Sequence, residues 1–457
     1  MAPSSAPAER NRPYDAAVTG MEHGSIVVDG VFFQHRANTG ITRVWASFFR
    51  EWLDTGFARR LLFLDRAGAG PPLPRLRTRS VPRWDPARTA EDSLLLQEVC
   101  DEEGAALFVS TYYTTPIATP SLMLVYDLIP ERLGMDMSDP SWVEKRLAVE
   151  HASSYACISE NTRNDLHEFE PASRGKPADV VPLGVEELFR PASVDEVAAF
   201  RKARGIRRPY VLLVGDRCGV GGYKNAALLF RALRGWEELK DHEVVCVGGE
   251  AHIEPELRAA GPRVRARRLS LSDEELRLAY AGATALVYPS RYEGFGLPVA
   301  EAMACGCPVI TTKLASLPEV AGDAALYVDP DDPEGLRKAL DAVREPDRRA
   351  SMVAAGAVRA TAFRWDRASA AFAAALSEAA AVATAEQRRA RDATWRPRRE
   401  AQAAAAQRVP RDGRLQAIPS VARQTRERLG RPLKSAAMRY LPPRAVVLLY
   451  RLKRVVS

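Results

Sequence analysis

Histidine and cysteine are scarce, with six of each in 457 residues. Cys100, Cys157, Cys218, Cys246, Cys305 and Cys307 are scattered, and only the last two lie close together. A C-x-C pair is not a zinc spacing, and the rest offer no disulfide framework. Reduced, buried thiols are the expectation. No histidine falls in a metal or nucleophile motif, and His23, His35 and His151 read as structural. No apolar run reaches the roughly 18 residues that a membrane-spanning helix needs. The opening MAPSSAPAERNRPYDAAV lacks the apolar stretch of a signal peptide. These absences predict a cytoplasmic protein without a spanning segment.

The apolar share of 46% is enough for sizeable cores, and the length predicts two domains with accessory segments. The net charge of +7 hides an asymmetry. Residues 381–457 hold 19 Lys/Arg against 5 Asp/Glu, a net of +14, while the first 380 residues carry a net of −7. A tail of this kind is drawn to polyanions, such as acidic lipid headgroups. Near the end, Ala445, Leu448, Leu449, Leu452 and Val455 recur at helical spacing among Arg444, Arg451, Lys453 and Arg454. That pattern suits a helix on an anionic membrane and equally a solvated or partner-packed helix. Nothing in it carries a nucleic-acid motif.

Short apolar runs alternate with helical patterns. SIVVDGVFF, a helix from Ile41 to Leu53, RLLFLD, ALFVST, LMLVYDLI, a helix from Trp142 and YACIS make the first series. VVPLGV leads into a linker around residues 190–208. The series restarts with YVLLVG, a helix over 225–236, EVVCVGG, a helix capped by Ser272 and Glu275, ALVYPS, PVITT and ALYVDP. Such alternation predicts an α/β chain with parallel sheets wrapped by helices. Ligands of such sheets bind beyond the carboxyl ends of the strands.

The strongest chemical signal is Tyr288-Pro-Ser-Arg-Tyr-Glu293-Gly294-Phe295-Gly296-Leu297-Pro-Val-Ala-Glu301-Ala-Met-Ala-Cys-Gly306. Pro298 suits the first turn of a helix and Gly306 its end. Glu293 then sits in a loop and Glu301 within the helix, both aimed at one ligand. Gly294 and Gly296 permit close backbone approach, and free amides at the helix start favour an anion. Carboxylates for hydroxyls and amides for phosphate together fit a sugar diphosphate. By spacing alone, two solvent-facing glutamates are as good a reading.

A second signal is Val214-Gly-Asp-Arg217-Cys-Gly-Val-Gly-Gly-Tyr-Lys224-Asn225, after a strand and before a helix. Two cations joined by a glycine-rich loop can converge on a diphosphate. A dinucleotide-binding reading fails, because Gly219-x-Gly221 would need glycine where Lys224 stands.

The first stretch resembles the E-x7-E region of family 4 glycosyltransferases, retaining enzymes of the GT-B fold, and within them the mannosyltransferase-like group. The resemblance takes in much of residues 210–330 and, more loosely, 24–190. It implies that Glu293 contacts hydroxyls of the donor sugar and that Glu301 holds the ribose. It implies that Arg217 and Lys224 are the cations on the diphosphate, although the loop between them is longer than the family's. The catalytic set is then Lys224, Arg217 and Glu293. The donor set is Arg217, Lys224, Glu293, Gly294, Phe295, Gly296, Leu297 and Glu301.

In the first half, Asn38-Thr-Gly40-Ile41-Thr-Arg43 resembles the family's glycine-rich first loop, which approaches acceptor or phosphate. It also reads as a plain helix cap. Tyr126 stands where the family often has histidine, and a phenol is a poor acid or base near neutral pH. Asp127 reads either as an acceptor ligand or as a turn former. Ser159-Glu-Asn-Thr162 reads as a helix start. Asp329-Pro-Asp331 matches a metal-binding D-x-D pattern but sits at the helix start Asp332-Pro333-Glu334 and is read as structural.

Two Rossmann-like, doubly wound parallel-sheet domains facing across a cleft are therefore expected, with a basic helical C-terminal tail. The boundaries are a leader at 1–22, an acceptor domain at 23–200 and a donor domain at 201–365. A helix at 366–385 returns to the first domain, and the basic tail spans 386–457. The implied activity is hexosyl transfer, mannosyl included, from a nucleoside-diphosphate sugar to a glycan or lipid-linked acceptor. Neither cofactor nor metal is expected. The basic tail would hold the chain at the inner face of a membrane. A GT-B phosphorylase or epimerase, or a silent sugar-nucleotide-binding scaffold, are the alternatives.

Overall fold

The computed structural model describes residues 24–34, 39–217, 222–237 and 241–407. The leader 1–22, His23, His35, Asn38, Cys218, Gly219, Gly221 and the terminal helix around Ala445 to Val455 lie outside the described residues.

Thirteen strands form among the described residues, in two all-parallel sheets. The first holds β1 (Ile26–Asp29), β2 (Leu61–Arg66), β3 (Thr78–Val81), β4 (Leu107–Ser110), β5 (Ser121–Val125), β6 (Ser154–Cys157) and β7 (Ala178–Val180). The second holds β8 (Tyr210–Val214), β9 (Glu243–Val247), β10 (Ala266–Leu269), β11 (Ala285–Tyr288), β12 (Val309–Thr312) and β13 (Ala325–Val328). Their orders are β3-β2-β1-β4-β5-β6-β7 and β10-β9-β8-β11-β12-β13. Both orders reverse direction once, between β1 and β4 and between β8 and β11. At such a reversal the loops at the carboxyl ends of the two central strands part and leave a crevice.

The central strands are apolar except for Asp29 and Ser110 at the ends of β1 and β4, because helices cover both faces of each sheet. Ile26, Val27 and Val28, or Leu286 and Val287, are completely buried. The run SIVVDGVFF does not stay extended: after β1 the chain turns at Gly30 into a short 3-10 helix, Val31–Gln34. The interval read as a linker at 190–208 contains a helix, Val194–Ala203. There the Ser193 hydroxyl accepts from the Glu196 amide, and the Glu196 carboxylate accepts from the Ser193 amide.

The chain passes between domains twice. Val185 and Arg364 form a parallel bridge at the crossing, where Gly184 packs on the backbone of Trp365. The helix Trp365–Ala381 lies against the helix Gly40–Thr55 of the first domain, and Phe372 contacts the rings of Trp45, Phe48 and Trp52. Residues 385–407, the start of the segment read as a tail, are a helix on the first domain. Arg399 is fully buried there, bonded to Glu144 at 3.1 and 3.2 Å and to Thr115 at 3.0 Å. His151 is buried beside Trp395 and Arg391, with its ring bonded to Ser121 at 2.7 Å.

Candidate functional site

The loops after β8 and β11 flank the reversal of the second sheet. Asn225 adopts a left-handed conformation at the head of the helix Ala226–Arg234. Its side-chain amide donates to the carbonyls of Pro289 (3.2 Å) and Pro330 (2.8 Å), tying three strand-end loops together. The Arg291 amide donates to the Tyr223 carbonyl at 2.7 Å. Lys224, next to Asn225, is thereby aimed at the β11 loop. Its ammonium donates to both oxygens of Glu293, at 2.7 and 2.9 Å, and to the Tyr288 hydroxyl at 3.3 Å. It also lies over the rings of Tyr223 and Tyr288, 5.1 and 5.5 Å from their centroids. Burial alone would lower the Lys224 ammonium, but Glu293 and the two phenols reverse this and hold it well above the usual lysine range.

The loop carrying Glu293 is fixed by hydroxyls. Ser316 donates to the carbonyls of Glu293 (2.9 Å) and Phe295 (2.8 Å), and Thr312 donates to that of Ser290 at 2.5 Å. The Phe295 ring is in the core, edge-on to Phe363, so what this residue can offer a ligand is backbone. Gly296, left-handed at φ 107°, starts the helix Leu297–Ala304. Glu301 lies within that helix and is buried. It accepts from the Tyr280 hydroxyl at 2.9 Å and from Arg43 of the first domain at 3.2 Å.

Burial raises the Glu301 carboxyl above its ordinary range, with Arg43 and Tyr280 opposing. Burial also acts first on Arg43, in the lowering direction, but Glu301 and Asp273 overcome it and the guanidinium ends raised. The cost of burial falls on the carboxylate because it is enclosed, whereas 35% of the Arg43 side chain remains exposed.

Arg217 is not where the sequence placed it. Its side chain is completely buried. It donates to Glu254 at 2.7 Å and to the carbonyls of Gly248 (2.6 Å), Glu250 (2.6 Å) and His252 (3.0 Å). Every bond it makes serves to pin the loop after β9 to the end of β8. Lys224 is the one of the two that is brought to Glu293. The unusual length of the loop between them is the one sequence feature that sets Arg217 below Lys224.

Across the cleft, Thr39 caps the helix Gly40–Thr55 through a reciprocal bond with Thr42. Gly40 is exposed, and Ile41 packs partly against the core. The Tyr126 hydroxyl accepts from the Trp45 indole at 2.5 Å, and burial holds its phenol well above the ordinary range. It cannot trade a proton near neutral pH. Asp127 accepts from the Ile129 amide at 3.0 Å, the turn-forming role.

The Glu293 loop also touches the first domain. Ser159 and Thr162 donate to the Gly294 carbonyl at 2.7 and 3.1 Å. A Cβ on Gly294 would stand 1.8 Å from the Tyr126 carbonyl oxygen, so only glycine fits this approach. The Tyr292 hydroxyl donates to Asp165 at 2.7 Å, and Glu319 accepts from the amides of Glu160 and Asn161 at 2.8 and 2.6 Å. Ser159 thus combines its helix-capping role with a bond between domains. Tyr223, Asn225 and Tyr288 lie within the two motifs but carry no predictable role there, and Tyr280 lies outside them; their partners are set by the fold. Asp331 pairs with Arg291, and Asp332 caps the helix Pro333–Ala342.

Residues 208–345 match the family described as glycosyl transferases group 1. The match takes in the second sheet and the loops and helix that carry Lys224, Glu293 and Glu301. A 95-residue stretch is 45% identical to the O-antigen chain mannosyltransferase B of Escherichia coli and covers 21% of this chain. The match spans about a quarter of that relative's length, 25%. Over 322 residues the chain is 27% identical to the alpha-maltose-1-phosphate synthase of Mycobacterium tuberculosis, covering 62% of this chain and 81% of that one. Among solved structures, Anabaena HepE, determined with UDP and glucose, is similar at a TM-score of 0.60 and 15% identity. That likeness covers 78% of this chain and all of HepE, 100%. Together with the paired sheets, it establishes the GT-B fold of the chain.

Proposed function

We propose that the chain is a retaining glycosyltransferase that moves a hexose, mannose foremost, from a nucleoside-diphosphate sugar to an acceptor hydroxyl. The observation that carries this reading is the placing of two carboxylates beside the sheet reversal: Glu293 is paired with Lys224 at 2.7 Å, and Glu301, in the helix that follows the Glu293 loop, is paired with Arg43 of the other domain at 3.2 Å. Glu293 accepts from hydroxyls of the donor sugar, and Glu301 from those of the ribose. Lys224 shifts from Glu293 towards the diphosphate and neutralises charge as the bond to the sugar breaks. The amides at the start of the helix Leu297–Ala304 take a phosphate oxygen.

The anomeric carbon–oxygen bond to the diphosphate breaks with its electron pair leaving on the phosphate. The acceptor oxygen attacks the anomeric carbon from the same face. Its proton passes to the departing phosphate oxygen, so no protein base is required, in keeping with the inert Tyr126 phenol. Positive charge comes from Lys224, and the proposal includes no resident metal or cofactor. Closure of the domains keeps water from the sugar.

The mannosyltransferase relative supports an acceptor in cell-envelope polysaccharide or glycolipid synthesis. The basic segment beyond residue 407 supports attachment to an anionic membrane at its cytoplasmic face. The test is release of nucleoside diphosphate from a panel of GDP- and UDP-hexoses, with and without glycan acceptors, followed by the anomeric configuration of the product. Acceptor-dependent release with a retained anomer is expected. Release that needs inorganic phosphate, or an inverted product, would overturn the proposal.

A further inference from the structure

Glu301 is 3% exposed, yet both of its oxygens are engaged. Tyr280, fully buried in the same domain, donates to Oε2 at 2.9 Å, and Arg43 donates to Oε1 at 3.2 Å. The two donors differ in kind. Tyr280 is packed in place among core residues. Arg43 reaches over from the helix Gly40–Thr55 of the other domain and is the partly exposed group above the carboxylate. It also has somewhere else to go. Asp273, 53% exposed in the first turn of the helix Asp273–Ala281, lies 3.8 Å from the same nitrogen of Arg43. The Phe189 ring, 5.7 Å from the guanidinium carbon, supports the side chain alongside.

A ribose offers two neighbouring hydroxyl donors. A ribose hydroxyl that donates to Oε1 would take the place of the Arg43 donor. We propose that Arg43 is a positioning residue that holds the place of a ribose hydroxyl on Glu301 while the site is empty. When the donor binds, it yields Oε1 to the ribose and moves to Asp273. The inference rests on the reading of Glu301 as the ribose carboxylate. Because the pair joins the two domains, donor entry is coupled to loosening of one contact across the cleft. The carboxylate never faces the interior without a donor: the guanidinium covers it when empty and the ribose when filled, which avoids an unpaired buried charge.

The test is calorimetric binding of GDP, UDP and ADP, and of their 2′,3′-dideoxy counterparts, to wild type and to Arg43→Gln. Removing the competitor tightens binding of the preferred ribonucleotide by about threefold to tenfold. The dideoxy compound, which cannot engage Glu301, gains nothing, and that contrast would not arise from a purely structural role. Arg43→Lys, which keeps the charge with a shorter reach, falls between the two. Asp273→Asn weakens ribonucleotide binding in wild type and has no effect in the Arg43→Gln background. Equal or weaker binding of the ribonucleotide to Arg43→Gln overturns the exchange and leaves the donor reading intact. If wild type binds none of the three diphosphates, the donor reading falls and takes the exchange with it.

Discussion

Lys224 donates to both carboxylate oxygens of Glu293, at 2.7 and 2.9 Å, in surroundings where only 15% and 9% of the two side chains are exposed. The pair is therefore more than a surface contact. Each group is the main polar partner of the other, and in the proposed reaction the same ammonium turns towards the departing diphosphate.

Replacing Lys224 by Ala strips Glu293 of its counter-ion and the reaction of its positive charge. Removal of one partner from a buried pair costs about 3 kcal/mol of stability. Loss of a preorganised group facing a developing anion lowers kcat by about 10²- to 10³-fold. Urea unfolding and nucleoside diphosphate release check the two effects separately. A Lys224→Ala variant with wild-type turnover would remove Lys224 from the mechanism.

Arg217 behaves in the opposite way. Its guanidinium is spent on Glu254 and three carbonyls, so Arg217→Ala leaves buried acceptors unmet and lowers stability by about 3 kcal/mol. Below the new melting point, the remaining folded enzyme keeps most of its kcat. A protein that melts as wild type but turns over a hundred times more slowly would return Arg217 to the diphosphate.

The contrast between these two residues shows how far the sequence could be read. The apolar runs of β1, β4, β5, β8, β9 and β11 are legible because both sheet faces there are covered. The edge strands Thr78–Val81 and Ala266–Leu269 are not, since TRSV and ARRL carry the polar side chains of strands with one open side. Glu293, Glu301 and Lys224 are legible because a loop-to-helix pattern fixes them along the chain. What Arg217 bonds to is set by a loop some 30 residues further on, at Gly248 to Glu254, and local spacing carries no record of it. The same holds for Tyr280 and for the meeting of Arg43 with Glu301, 258 residues apart.

Gly294→Ala tests how the domains meet. The added methyl would stand 1.8 Å from the Tyr126 carbonyl oxygen, so the Glu293 loop or the first domain must withdraw. The bonds from Ser159 and Thr162 to the Gly294 carbonyl then lengthen or break. Transfer falls by at least about 10²-fold, as expected when reacting groups are displaced by an ångström or so. Small-angle scattering should report a more open particle, and nucleotide binding, which rests mainly on the second domain, should fall much less than turnover.

Glu301→Gln probes the energetics of the buried carboxyl. Burial raises the Glu301 carboxyl above the ordinary value of 4.5 in the folded chain. The folded state therefore holds this proton more tightly than the unfolded state does. Its contribution to stability is complete below pH 4.5 and is lost as pH rises through the folded value, because the folded chain must then keep an anion out of water. Glutamine has no such step, and the charge of Arg43 does not change over this range. Measured by urea midpoints from pH 4.5 to 8, the stability of Glu301→Gln relative to wild type should climb with pH and then level off. A constant difference would mean that Glu301 ionises as freely as it does in solvent. Nucleotide binding should move the other way: the variant, with one ribose acceptor replaced by an amide donor, binds more weakly at neutral pH even where it is the more stable protein. Stability and affinity pulling in opposite directions at one residue is what a carboxylate kept for a ligand rather than for the fold requires.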